Sequence, residues 1–276
     1  MQVKELAKKP IGILKHSTMS DVIKKLLENH ISRLVVLDSG NPVGIISQKD
    51  VGFFLFNDST KYGLDKIPLS SIMNDIEYVD GSTTVEKCAK TLIDKKISSL
   101  CVKENSQLGI FTKTDLATYY SKNYSKKHKV VDFMTHDYIS THNATPLFKV
   151  VRKMLEHRIS RIITKSQNEQ PAGILSFKDL FRISLELGNE EDDEGFTLSD
   201  QIRRGFLSEK GFGSISLAKD VMSKEILTVK FSDDLENACK IMLNNNVSGL
   251  AVIDGNGGVT GMISKTDVIR ALSSMN

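Results

Sequence analysis

One pattern is written four times in this chain, and it leaves few folds open. Its clearest copy runs from Leu235 to Val268, where Leu235, Ala238, Cys239, Met242 and Leu243 stand at i, i+3, i+4, i+7 and i+8. That spacing puts one apolar stripe along a helix. The same spacing recurs in Met19, Val22, Ile23, Leu26 and Leu27, in Val85, Cys88, Ala89, Leu92 and Ile93, and in Leu147, Val150, Val151, Met154 and Leu155. Register-matched copies mark an internal repeat, which has to be settled before any other feature is read. Two positions before each stripe stand Ser17, Thr83, Thr145 and Asp233, expected as helix N-caps because a side-chain oxygen there accepts from an orphan N–H of the first turn. Thr83 with Glu86, and Asp233 with Glu236, have capping-box spacing, and Pro146 suits the first helical position.

Each stripe leaves through a matched serine: HISRL at 30–34, KISSL at 96–100, RISRI at 158–162 and NVSGL at 246–250. A short β-branched run and a polar turn follow. A second apolar run then opens on glycine and ends on aspartate: GIISQKD at 44–50, GIFTKTD at 109–115, GILSFKD at 173–179 and GMISKTD at 261–267. Two short strands about a Gly/Asn/Pro turn predict a hairpin, and each final Asp leads into a second helix. The unit is strand–helix–strand–strand–helix, an α/β unit.

The repeats fall at about 10–56, 72–120, 131–187 and 221–276. Ile72-Met73, Phe133-Met134 and Val221-Met222 open the later three, and the first lacks such a pair before its short opening strand Ile11–Leu14. Residues 1–125 are expected as a first pair of repeats and 131–276 as a second, with a basic, solvated linker at 121–130. From motif Asp to next Met the chain runs 23, 19 and then 43 residues, which marks an insert at about 188–215. The insert holds an acidic loop, NEEDDEG at 189–195, then a stretch with Ile202, Phe206 and Leu207 on one helical face, either a surface helix packed on its own domain or a lid or partner-docking element.

The N-terminal MQVKELAKKP has no apolar core, and no apolar run is long enough to span a membrane, so a cytoplasmic protein is expected. Three cysteines argue against a disulfide framework, and Cys88 and Cys239 lie on apolar stripes. The net charge of +3 is not that of a dedicated nucleic-acid binder.

The turn that closes each hairpin is S/T-x-x-D. As structure, it is a helix cap with an acid in the first turn. As chemistry, a helix N-terminus with hydroxyls is an anion site, and a nearby carboxylate accepts both hydroxyls of a ribose. Phosphates would need cations, and Arg33 and Arg161 stand one residue after the matched serine, where the second and fourth copies have Ser99 and Gly249. Those two copies instead add a hydroxyl before the Asp, Thr114 and Thr266, where the first and third have Lys49 and Lys178. The alternation suits repeats that work in pairs.

The hydrophobic-Met openings, the I-S-R exits and the G-h-h-[ST]-x-x-D ends, where h is apolar, make the chain resemble a protein built of four cystathionine β-synthase (CBS) domains. The resemblance covers nearly all of the chain except the insert. It implies small β-sheets each packed by two helices, paired through their sheets into pseudo-twofold modules, with two modules forming a disc. It implies clefts for adenosine derivatives: AMP, ADP or ATP, less often S-adenosylmethionine or NAD. By that resemblance Asp50, Asp115, Asp179 and Asp267 grip the ribose, and Ser47, Thr112, Ser176 and Ser264, with Thr114 and Thr266, line its phosphate side. Arg33 and Arg161 resemble the phosphate-binding basic residues in the γ subunit of AMP-activated kinase.

The sequence shows no nucleotide-hydrolase, hydrolase-elbow or zinc motif, so no enzyme, no metal and no required cofactor are expected. The expected output is regulation of a protein partner, or self-association into a homodimer. The alternative is a scaffold or nucleic-acid-binding protein with vestigial clefts, favoured by the basic residues of 122–129.

Overall fold

The computed structural model of the protein describes residues 1–58, 60, 62–104, 107–188, 207 and 212–275. Each repeat builds a three-stranded sheet and two helices. The first comprises β1 (Gly12–Leu14), α1 (Met19–Glu28), β2 (Arg33–Asp38), β3 (Asn41–Ser47) and α2 (Gln48–Asn57). The second comprises β4 (Tyr78–Asp80), α3 (Val85–Asp94), β5 (Ser99–Glu104), β6 (Gln107–Thr112) and α4 (Lys113–Asn123). The third comprises β7 (Ser140–His142), α5 (Leu147–Glu156), β8 (Arg161–Lys165), β9 (Pro171–Ser176) and α6 (Phe177–Gly188). The fourth comprises β10 (Thr228–Lys230), α7 (Leu235–Asn244), β11 (Gly249–Ile253), β12 (Val259–Ser264) and α8 (Lys265–Ser273). In every sheet the opening strand runs parallel to the next, and the hairpin behind it is antiparallel. A parallel pair needs a crossover, and the striped helix supplies it.

By contact the chain divides into two compact units: Met1–Pro10, Ile76–Tyr138 and Leu227–Asn276 form one, Ile11–Asp75 and Ile139–Ile226 the other. One unit therefore joins repeats two and four, the other repeats one and three. Each has its own apolar core, contributed by the stripes of both its repeats. The mates meet through helices, α4 on α7 and α3 on α8 in one unit, α1 on α6 and α2 on α5 in the other.

Neighbours in sequence are linked differently, by exchange of the arm that precedes each repeat. Val3 N–H donates to Thr83 O (2.8 Å), Leu69 to Ser17 O (3.1 Å), Val130 to Asp233 O (2.9 Å) and Ala218 to Thr145 O (2.9 Å). In return, the first N–H of each striped helix is capped by an arm carbonyl. Met19 donates to Ile67 O (2.8 Å), Val85 to Met1 O (3.1 Å), Leu147 to Ser216 O (2.8 Å) and Leu235 to His128 O (2.9 Å). So the arm before repeat one docks on repeat two and the reverse, and repeats three and four do the same. Val3, Leu69, Val130 and Ala218 are all fully buried.

This exchange corrects several expectations. The helix caps are Thr18, Thr84, Pro146 and Asp234, one residue later than Ser17, Thr83, Thr145 and Asp233. The first stripe residue is itself the first helical residue, and the residue before the cap holds the arm with its carbonyl. The expected capping boxes of Thr83 and Asp233 give way to one at Thr18, whose N–H and hydroxyl reach Asp21 Oδ2 at 2.8 and 2.9 Å. Pro146 is the cap and not the first helical residue. The hydrophobic-Met pairs belong to the arms, and repeat one has its own arm, with Ala7 at the Met position. The linker at 121–130 is not simply solvated. Residues 121–123 finish α4, and His128 packs against Phe133 with ring centroids 5.0 Å apart.

The hairpin glycines make room for the arms. A Cβ on Gly44 would lie 2.2 Å from Met73 Cγ, and one on Gly173 would lie 2.5 Å from the backbone oxygen of Ser223. Backbone cannot rotate away as a side chain can. Gly173→Ala is therefore expected to lift the fourth arm and destabilise the fold by about 1–3 kcal/mol, as overpacking does. Chemical denaturation checks this, and an unchanged midpoint would contradict the docking.

Of the insert, 189–206 and 208–211 lie outside the described residues, and with them Ile202, Phe206 and the acidic loop. Leu207 is buried in the core of repeats one and three, and its N–H donates to Leu55 O at 3.0 Å. Phe212–Ile215 is a single-turn helix.

Candidate functional site

The four S/T-x-x-D turns share one geometry. In each, the Ser or Thr is the N-cap of the second helix, and the Asp sits at its third residue. Asp50 Oδ2 accepts from Ser47 N–H (2.7 Å) and Oγ (2.6 Å). Asp115 Oδ2 accepts from Thr112 (2.9 and 2.7 Å), Asp179 Oδ2 from Ser176 (2.8 and 2.7 Å) and Asp267 Oδ2 from Ser264 (2.7 and 2.7 Å). The hydroxyls expected to line a ribose-phosphate thus each donate to their own Asp. One carboxylate oxygen starts the helix, and the other remains for a second use.

That second oxygen divides the repeats. Asp115 Oδ1 lies 2.7 Å from Lys8 Nζ. Asp267 Oδ1 lies 2.6 Å from Arg270 Nη2, an ion-pair distance without hydrogen-bond alignment. Burial raises the Asp267 pKa, opposed by Ser264 and Arg270. For Asp50 and Asp179, the hydrogen bonds among the described residues reach Oδ2 alone.

The matched serines gain a role the sequence did not reveal. Their carbonyls accept the first N–H of the second helix: Gln48 to Ser32 (3.0 Å), Lys113 to Ser98 (3.3 Å), Phe177 to Ser160 (3.4 Å) and Lys265 to Ser248 (3.1 Å). The next residue then pairs across the hairpin with the hydroxyl residue. Arg33 stands opposite Ser47 and Arg161 opposite Ser176, while Ser99 faces Thr112 and Gly249 faces Ser264. Both arginines are thereby fixed beside a turn.

The unit of repeats one and three is cationic around these turns. Burial pushes Arg161 down to about 10, with Asp179 pulling it up, so it stays charged at neutral pH. Burial, then Arg161, lowers Lys178, and burial, then Arg33, lowers Lys49. Lys49 also donates to Arg158 O of repeat three at 2.6 Å. Such a cluster favours an anion over a cation.

In the other unit Thr114 and Thr266 do not stand free as ligand hydroxyls. Lys113 Nζ donates to Thr266 Oγ1 (2.8 Å) and Lys265 Nζ to Thr114 Oγ1 (3.1 Å), a reciprocal clasp between repeats two and four. These lysines were missed from sequence. Their signal was a Lys directly after the hydroxyl residue, where repeats one and three have Gln48 and Phe177.

A pocket of about 410 Å³ opens at the first turn. Asp50, Phe53 and Phe54 form one wall, and Ile72, Met73 and Asn74 of the docked arm form the other. The arm side was not foreseen from sequence. Among the described residues no group of three or more His, Cys, Asp or Glu side chains converges as a metal would require, and none of their helices is long and apolar enough to cross a membrane.

The CBS domain family model matches residues 3–55, 69–122, 130–186 and 218–274. Each match begins at the buried residue of an arm. MJ1225 of Methanocaldococcus jannaschii is 23% identical over 280 residues, 95% of each chain. Its crystal structure, described as that of a proposed archaeal homologue of γ-AMPK, aligns with a TM-score of 0.79 at 20% identity, covering 98% of this chain and 99% of that one. A 33.4 kDa protein from the ribosomal RNA operon of Thermofilum pendens is 23% identical over 284 residues, 95% of this chain and 88% of its own. A conserved protein from Pyrococcus horikoshii aligns with a TM-score of 0.63 at 19% identity, covering 99% of this chain and 100% of that one. At these identities the structural likeness establishes the fold.

Proposed function

This chain belongs to the CBS domain family, and from that premise we propose that it is a regulatory protein that binds an adenine nucleotide at the turns of Asp50 and Asp179. The observation that carries the reading is the pocket at Asp50. Its volume of about 410 Å³ is in the range of small-ligand sites. Phe53, Phe54, Ile72 and Met73 offer apolar faces to a purine. Among the described residues no hydrogen bond reaches Asp50 Oδ1, the oxygen that would take the ribose hydroxyls, and Arg33 stands opposite Ser47 as the positive charge on the phosphate side. MJ1225, described as a proposed homologue of γ-AMPK, points the same way.

The pocket also suggests how binding becomes a signal. One wall is repeat one, and the other is the arm leading into repeat two. A ligand between them favours the docked arm, and it shifts that equilibrium only by its differential affinity for docked and undocked states. In this reading the chain catalyses nothing, and its output passes to a protein partner.

Calorimetric titration of the intact chain with AMP, ADP, ATP, S-adenosylmethionine and NAD tests the proposal. Saturable binding of at least one, little affected by salt beyond its phosphate contribution, is expected. No binding by a folded sample would overturn it. Binding of a polynucleotide alone, falling steeply with salt, would favour the scaffold reading.

A further inference from the structure

We propose that Lys8 is a built-in occupant of the repeat-two turn and decides which turns accept a ligand. The inference rests on the nucleotide reading above, and it concerns the site that reading leaves out. The arms dock in one register. Lys8 bridges Ile110, Asn74 bridges Ile45, Thr135 bridges Met262 and Ser223 bridges Ile174. Three arms thus carry a short polar side chain at this position, and the first carries a lysine.

The backbone aims that lysine. Lys8 N–H donates to Ile110 O at 3.0 Å, and Ile110 N–H donates to Lys8 O at 2.7 Å. Its Nζ then reaches Asp115 Oδ1 at 2.7 Å. Thr112 already holds Oδ2 of the same carboxylate. Both oxygens of Asp115 are therefore engaged by the chain itself, and its side chain is only 5% exposed. A ribose approaching this turn meets a neutralised carboxylate with a cation in the position its hydroxyls need.

The plug is removable. The Lys8 side chain is 67% exposed, so it stays largely hydrated, and pairs of this kind are weak. The fourth turn is closed from within its own helix, by Arg270 on Asp267. Repeat two is thus the turn whose closure depends on a docked arm, and a factor that draws the first arm away opens it.

Equilibrium dialysis of AMP against four forms of the full chain tests this: wild type, Lys8→Asn, Lys8→Asn with Asp115→Asn, and Lys9→Asn as a charge control. Asparagine is the residue arm two carries at this position, so the first substitution keeps a residue type that docks. Lys8→Asn is expected to bind one more AMP per chain than wild type. Restoring a charged acceptor should tighten binding at that turn by about tenfold or more. The additional site should vanish in the double variant, and Lys9→Asn should match wild type. If wild type binds AMP and Lys8→Asn adds no site, the inference fails and the nucleotide reading stands. A site gained in Lys8→Asn when wild type binds none upholds the plug and overturns the assignment to Asp50 and Asp179. Failure of every form to bind overturns both.

Discussion

Asp50→Asn is expected to weaken nucleotide binding at the first turn about a hundredfold while leaving the fold intact. Asparagine keeps an oxygen to accept from Ser47 N–H and Oγ, which Asp50 Oδ2 now does at 2.7 and 2.6 Å. It replaces Oδ1 by an amide that cannot accept from ribose hydroxyls. Charged hydrogen bonds contribute about 1.5–3 kcal/mol each, and a hundredfold is about 2.7 kcal/mol. Asp50→Ala gives the contrast. It also removes the capping-box partner of Ser47, at about 1 kcal/mol, which lowers the melting temperature by about 2–4 °C in a chain of this size. Measured together, the two variants separate the helix-starting role of this residue from its ligand role. Unchanged binding in Asp50→Asn would leave the turn a helix cap and nothing more.

Phe177→Ala is expected to destabilise the protein more than any other single change considered, by about 3–5 kcal/mol. Phe177 opens α6 at the position of Gln48, Lys113 and Lys265 in the other copies, and it is fully buried. Its ring stacks on Phe181 at 6.2 Å. It also lies so close to α2 that a Cβ on Gly52 would meet Phe177 Cε1 at 2.3 Å. Phe177 therefore fixes repeat three against repeat one, and Gly52 is the notch that admits it. Gly52→Ala alone should cost about 1–3 kcal/mol by overpacking. In the Phe177→Ala background its methyl enters a vacated space, so the two costs should not add. Denaturant melts of the four forms in this cycle check it, and additive losses would mean that the two residues do not meet.

What the sequence disclosed and what it hid follow from range. The stripes, the hairpins and the S/T-x-x-D caps rest on contacts a few residues apart, and all four copies of each are found. The matched serines were visible as a pattern without a reason, and the reason is a carbonyl that starts the second helix. The arm exchange was illegible because an arm and its dock are far apart in the chain, as Leu69 is from Ser17 and Val130 from Asp233, and because Ala7 stands where the other arms have Met. The cap positions slipped by one residue for the same cause, since the residue before each cap is reserved for an arm. At the candidate sites the four aspartates look alike in sequence. Only the folded chain sets Lys8 on Asp115 and Arg270 on Asp267, and turns Thr114 and Thr266 toward lysines. The alternation seen from sequence, arginines in repeats one and three and second hydroxyls in two and four, follows the compact units and not the order of the chain.

A crystal structure of the full chain grown with AMP tests the central claim most directly. The account predicts density at the first turn, with both ribose hydroxyls on Asp50 Oδ1, the purine between Phe54 and Met73, and the phosphate toward Arg33. AMP bound away from the four turns, or bound at Asp115 with Lys8 still in place, would contradict it.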